Sequence, residues 1–107
     1  MQRIYWVKNE RGGASQLMVD ESYRQVQVDG VPCALTPQEF TLLQVLLENA
    51  NQPVQRKMLL QGAWGYASLG DTRTVDVHIQ RLRKKLGLSC IETVFRVGYL
   101  MRVRQGE

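Results

Sequence analysis

Hydrophobic positions change their spacing along this chain. Up to Leu35 they come in short runs or in strict alternation: Ile4-Tyr5-Trp6-Val7, then Leu17-Met18-Val19, then Arg24-Gln25-Val26-Gln27-Val28-Asp29. A strand with one buried face repeats every second residue, so these segments predict strands. The polar stretch 9–13 is a turn, and Asp29-Gly30 is a dipeptide that closes tight hairpins, returning the chain along Val31 to Leu35. Residues 1–35 therefore predict a small antiparallel sheet of three or four strands.

At Thr36 the period becomes helical. Thr36 caps, Pro37 takes the first helical position and Glu39 completes a capping box. Phe40, Leu43, Leu46 and Leu47 follow at helical spacing, and the helix stops near 49–51, before Pro53. A second helix is predicted from about Arg56 to Trp64, with Met58, Leu59 and Ala63 inward. A glycine-rich loop, 65–70, follows. The third helix runs from about Thr72 to Leu86 and ends at Gly87, a suitable C-terminal glycine. Ile91 to Val94 and Tyr99 to Val103 are β-like and read as a hairpin. The chain thus predicts one α+β unit over 1–107: an N-terminal antiparallel sheet (1–35), a three-helix core (36–86) and a hairpin wing (90–104). Two helices, a basic third helix and a hairpin are the plan of a winged helix-turn-helix.

Charge sharpens that plan. The chain carries a net charge of +4. Residues 1–70 hold six basic and six acidic side chains, whereas 71–86 hold five basic and two acidic. Stepping about 100° per residue, Val75, Ile79, Leu82 and Leu86 form one narrow apolar stripe on the third helix. The opposite face carries Gln80, Arg73, Lys84, Val77 and Arg81. His78 and Lys85 flank it on one side, Asp76 and Arg83 on the other. A cationic helix face presses against something negative, and nucleic acid is the leading candidate. Val77 is apolar at the centre of that polar face; a thymine methyl in a major groove gives a reason for it. The fork of Arg81 matches guanine, and Gln80 suits an adenine edge or a phosphate. Arg73 at the helix start suits a phosphate. Asp76 suits either a cytosine amino group or the positive end of the helix dipole. For His78, partial burial and a phosphate contact stand equal, and Trp64 is read as core with an indole N–H within reach of a phosphate. In the wing, Thr93 offers a hydroxyl to a phosphate and Arg96 a long cation to the minor groove.

Other classes find little support. Cys33 and Cys90 stand alone beside a single histidine, so no metal site is expected, and two free thiols in a reducing cytosol are favoured over a bridge. No apolar run approaches the roughly 18–20 residues of a membrane span, and no signal-peptide core is present; the expected location is the cytoplasm. No glycine-rich phosphate loop or nucleophile–base pair suggests an enzyme, and no cofactor is expected.

The residues resemble a known family. Leu35-Thr36-Pro37-Gln38-Glu39-Phe40, Leu42-Leu43, Trp64-Gly65, the run Arg73-Thr74-Val75-Asp76-Val77-His78-Ile79 with Arg81-Leu82-Arg83-Lys84-Lys85-Leu86, and Val97-Gly98-Tyr99 are similar to the OmpR/PhoB-type winged-helix effector domain of two-component response regulators. The resemblance implies sequence-specific binding of double-stranded DNA and transcription regulation, as the output domain of a phosphorelay. It implies the third helix in the major groove and the wing near the minor groove. It implies Arg73 and His78 on phosphates, Val77 and Arg81 on bases, and Thr93 as a wing phosphate contact. It also implies head-to-tail pairs on direct repeats, a loop at 65–70 facing RNA polymerase, and a receiver domain and histidine kinase if the chain is part of a longer regulator. One departure stands out: the family often has Arg-Gly after the Thr-Val of the wing, where this chain has Phe95-Arg96. Either Arg96 still reaches the groove from the turn, or Phe95 packs there. The expected DNA-contacting set is Arg73, Val77, His78, Gln80, Arg81, Arg83, Lys84, Thr93 and Arg96. The competing reading is a winged helix that docks its basic helix on an acidic protein.

Overall fold

A computed structural model describes residues 1–65 and 70–104. The first third is a four-stranded antiparallel meander of β1 (Gln2–Lys8), β2 (Ala14–Asp20), β3 (Gln25–Val28) and β4 (Val31–Cys33), in that spatial order. The β3–β4 turn is set by its two central residues. Asp29 and Gly30 sit at φ 51° and 82°, so both are left-handed, the geometry that matches the twist of paired strands. Val7, Leu17, Val19 and Val26 point from one face of this sheet into the core.

Helix α1 (Pro37–Glu48) begins as the sequence predicts. The Glu39 N–H donates to Thr36 Oγ1 at 3.2 Å, and the Thr36 N–H donates to Glu39 Oε1 at 2.9 Å. Two N–H groups that helix geometry leaves orphaned are satisfied together. The chain then turns at Asn51, whose left-handed φ of 65° redirects it into a short strand, β5 (Val54–Gln55). Helix α2 (Arg56–Trp64) follows, then α3 (Arg73–Leu86), β6 (Ile91–Val94) and β7 (Gly98–Met101). Gly87 closes α3 at φ 64°, its N–H donating to the Arg83 carbonyl.

Three local expectations change. β5 pairs with β7, so the wing is part of a three-stranded sheet, β5-β7-β6, rather than a bare hairpin. The last strand covers 98–101 instead of 99–103. In α2 the buried residues are Leu59 and Leu60, while Met58 is 50% exposed. The pairs 59/63 and 60/64, four residues apart, set the inward stripe, with Ala63 and Trp64 packed against the core.

One apolar cluster joins the two sheets and all three helices, from Val7 and Leu17 through Phe40 and Leu46 to Leu82 and Met101. The N-terminal sheet is fastened to both ends of the rest. Arg24 lies over the Phe40 ring at 4.5 Å and donates to Thr41 Oγ1 at 2.9 Å. β1 meets the segments flanking β6 and β7: the Ser89 N–H donates to the Lys8 carbonyl, and the Arg104 N–H to the Trp6 carbonyl. Both cysteines are free thiols. Cys33 Sγ lies 3.3 Å from the Lys85 carbonyl, and burial pushes the Cys90 thiol up to about 11.

Candidate nucleic-acid interface

Helix α3 presents two opposed faces because its sequence does. Val75, Ile79, Leu82 and Leu86 are buried, while Arg73, Val77, Gln80, Arg81 and Lys84 are exposed. Val77 keeps 49% of its surface in water at the centre of the charged side. Burying a valine stabilises by about 1.5–3 kcal/mol relative to leaving it exposed, so folding alone gives no account of this residue. An apolar partner surface would.

The N-terminus of α3 is organised by Asp71. Its Oδ1 accepts from the Arg73 N–H at 2.9 Å, and its other oxygen pairs with the Arg73 guanidinium. Bonds from Arg73 hold the Asp71 carboxyl below its ordinary range. The pair is solvent-exposed, and such pairs are worth little; a phosphate can displace the carboxylate without much loss. His78 is half-buried. Its ring meets Trp64 edge-on at 4.8 Å, and its Nδ1 donates to the Thr74 carbonyl at 2.9 Å. The partial burial expected from the sequence is present, and the polar contact seen is with the Thr74 carbonyl of the same helix.

Arg83 is placed otherwise than expected. Its Nε and Nη2 donate to the Ile91 carbonyl at 3.1 and 2.8 Å, and Nη2 also donates to Thr93 Oγ1 at 2.9 Å. The guanidinium further stacks on the Tyr99 ring at 5.3 Å. These bonds turn Arg83 from the outer surface towards β6, because it lies beside the buried stripe within reach of an open strand carbonyl. Arg83 thus fixes the wing relative to α3. The Thr93 hydroxyl accepts from it and keeps its own proton to donate outward.

Asp76 is likewise engaged within the protein through one of its two oxygens. Its Oδ1 accepts from Arg56 Nε at 2.8 Å and from the Tyr99 hydroxyl at 2.6 Å, tying α2, α3 and β7 at one point. Burial works to raise the Asp76 carboxyl, and the bonds from Tyr99 and Arg56 overcome it. A second junction shows in the sequence only as a helix cap. Glu39, 1% exposed, also accepts from Lys85 Nζ at 2.6 Å, joining α1 to the last turn of α3. The only signal for either junction is a charged residue beside an apolar stripe, which does not name its partner.

At the wing tip, the Val97 N–H donates to the Val94 carbonyl at 3.0 Å and closes a turn over Phe95 and Arg96. Arg96 holds a left-handed φ of 63°, which costs a residue with a Cβ roughly 1–2 kcal/mol. Of the loop at 65–70 expected to face RNA polymerase, residues 66–69 lie outside the described residues. Among the described residues there is no group of three or more metal-ligating side chains, and no helix is long and apolar enough to cross a membrane.

Comparison with known proteins places this geometry among relatives. Residues 30–101 match the family model described as "Transcriptional regulatory protein, C terminal". The transcriptional regulatory protein YclJ of Bacillus subtilis is 47% identical over 85 residues, covering 76% of this chain and 37% of that protein. Response regulator ArlR of Staphylococcus saprophyticus is 42% identical over 90 residues, covering 80% and 41%. This chain therefore spans about two fifths of the length of these relatives. Among solved structures, the RstA DNA-binding domain of Klebsiella pneumoniae in complex with the RstA box superposes with a TM-score of 0.72 at 38% identity, covering 80% of this chain and 90% of that one. The DNA-binding domain of Bacillus subtilis CssR gives 0.73 at 34%, covering 79% and 98%.

Proposed function

Because this chain belongs to the family of C-terminal domains of transcriptional regulatory proteins, of the OmpR/PhoB winged-helix type, we propose that it binds double-stranded DNA sequence-specifically and regulates transcription through that contact. Helix α3 lies in the major groove. Val77 and Arg81 meet base edges, Gln80 meets an adenine edge or a phosphate, and Arg73, His78 and Lys84 meet phosphates. Thr93 and Arg96 bring the wing to the flanking backbone and minor groove, and Arg83 holds the wing in place.

One observation carries this reading: a helix whose four apolar side chains are sealed in the core exposes, on its other side, a cationic front with a bare valine at its centre. A solvated surface helix has no use for that valine. The Arg81 fork in the next turn fits a carboxylate as well as guanine, and the likeness to a DNA-binding domain solved in complex with its DNA box favours the duplex over an acidic protein. The division between Arg73 and Arg81 follows from position. Phosphate contacts set register, and base contacts set preference.

We read the chain as the output part of a longer response regulator. In such a regulator a receiver domain, answering to a histidine kinase, would occupy the remaining three fifths, and the site of action is the cytoplasm, where the DNA lies. Two copies sit head-to-tail on a direct repeat, and the loop at 65–70 is left to face RNA polymerase.

Selection of sites from random duplex DNA tests the reading. It should recover a repeated half-site. Arg81→Ala should then abolish preference at one base pair, at about 1–3 kcal/mol, while Arg73→Ala should weaken all duplexes alike. Unchanged base preference in Arg81→Ala would overturn the assignment of that residue, and recovery of no common site would overturn the function.

A further inference from the structure

The wing tip holds a pair of side chains that the fold does not use. Phe95 is 81% exposed, the most exposed aromatic ring among the described residues. Beside it, the Arg96 guanidinium lies over that ring, 5.2 Å from its centroid. Arg96 sits in the left-handed region, where glycine or asparagine would rest without strain. The contact these two side chains make is with each other, at the tip. The turn is closed by the Val94–Val97 backbone bond, and the strands below are held by Arg83 and by pairing with β5.

Resting on the reading that the wing lies beside DNA, we infer that Phe95 and Arg96 form one minor-groove blade, in which the aromatic ring positions the cation. β6 ends at Val94, so Phe95 and Arg96 stand side by side in the turn itself rather than on a strand. The left-handed turn at Arg96, together with stacking on Phe95, holds the guanidinium at the tip. A free arginine loses much rotamer freedom when it is held in a groove. A guanidinium already resting on a ring loses less, and this preorganisation appears as affinity. The ring itself offers an apolar edge to the deoxyribose walls. A narrow A·T-rich groove concentrates negative potential and draws such a cation. The tip is continuous with the α3 front, since Arg83 joins α3 directly to Thr93. The occupant is therefore the minor groove of the same duplex that α3 enters.

A double-mutant cycle tests the pair on a duplex recovered by the wild-type chain. Phe95→Ala and Arg96→Ala should each weaken binding about threefold to tenfold. The double variant should lose less than the product of the two, by about threefold. Arg96→Ala should lower the slope of log K against log salt by about one, and Phe95→Ala should leave it unchanged. Replacing flanking A·T pairs with G·C should weaken the wild type and leave Arg96→Ala indifferent. Arg96→Gly should melt at a higher temperature yet bind more weakly, which separates the groove contact from any role in folding. Independent effects that simply multiply, or wild-type binding by Phe95→Ala, would overturn the blade. If Arg81→Ala still loses its base preference in the same assay, α3 recognition stands and only the wing inference falls. If Arg81→Ala and the wing variants all bind like the wild type, the reading of the DNA interface falls with it.

Discussion

Glu39 shows how much one side chain can hold together. It caps α1 through the Thr36 N–H and reaches across to Lys85 on α3, while being almost wholly buried. Burial by itself would raise the carboxyl; the bonds from Lys85 and Thr36 and the nearby Lys85 charge outweigh it and hold the pKa below the ordinary range. The folded state then keeps this group ionised at a pH where the unfolded chain has begun to bind a proton. Stability therefore rises with pH across that window. The contribution is complete above the unfolded value of about 4.3 and drains away as pH falls through the lower, folded-state value. Glu39→Gln should cost about 1–2 kcal/mol near neutrality, since the amide loses the charge-assisted bond and half-exposed Lys85 can turn to water. Urea midpoints of wild type and variant should differ at pH 6 and converge towards pH 3. A gap independent of pH would mean that the cap, not the ion pair, supplies the stability.

Elements were legible where local chemistry dictates them. The capping box at Thr36, the left-handed pair at Asp29-Gly30 and the C-terminal Gly87 each act within a few residues, and each stands where the sequence puts it. The two-faced nature of α3 was equally plain, because the helical period alone separates Val75 and Ile79 from Val77 and Arg81. β5 was not legible. Val54-Gln55 is too short to show a period, and it becomes a strand only because β7 lies alongside. For the same reason Arg83 reads as one more cation on a basic helix until β6 supplies the carbonyl it binds. Gly98 reports the β5 contact from the other side. A Cβ there would run into the Val54 carbonyl oxygen and crowd the Arg56 N–H. Gly98→Ala should therefore force β5 away from β7 and destabilise by roughly 1–3 kcal/mol. It should also loosen the wing, whose inner strand it carries. Amide exchange along 98–101 should quicken ahead of exchange in α1; protection equal to wild type would mean that the strands can separate at no penalty.

On the scale of the whole molecule, the matched family pattern and the physical core do not begin at the same place. The family model starts at residue 30, yet Val7, Leu17, Val19 and Val26, all before it, lie in the same buried cluster as Phe40 and Leu82. At about 1.5–3 kcal/mol for each large aliphatic side chain withdrawn from water, these four account for an amount on the order of 6–12 kcal/mol. That is comparable to the entire stability of a typical domain, about 5–15 kcal/mol. The meander also supplies Arg24 to the Phe40 ring and backbone acceptors to Ser89 and Arg104. The α3 front and the wing carry the candidate chemistry, but their fixed spacing depends on a core that β1, β2 and β3 help close. A chain cut to residues 30–107 retains every proposed DNA contact. It should nonetheless fail to unfold cooperatively on heating and bind the selected duplex with little base preference, as a basic chain without fixed geometry would. Residues 1–107 should melt in a single transition and discriminate. A cooperative melt and full discrimination by the shortened chain would show that the sheet is an appendage, and that the helices and wing hold their arrangement without it.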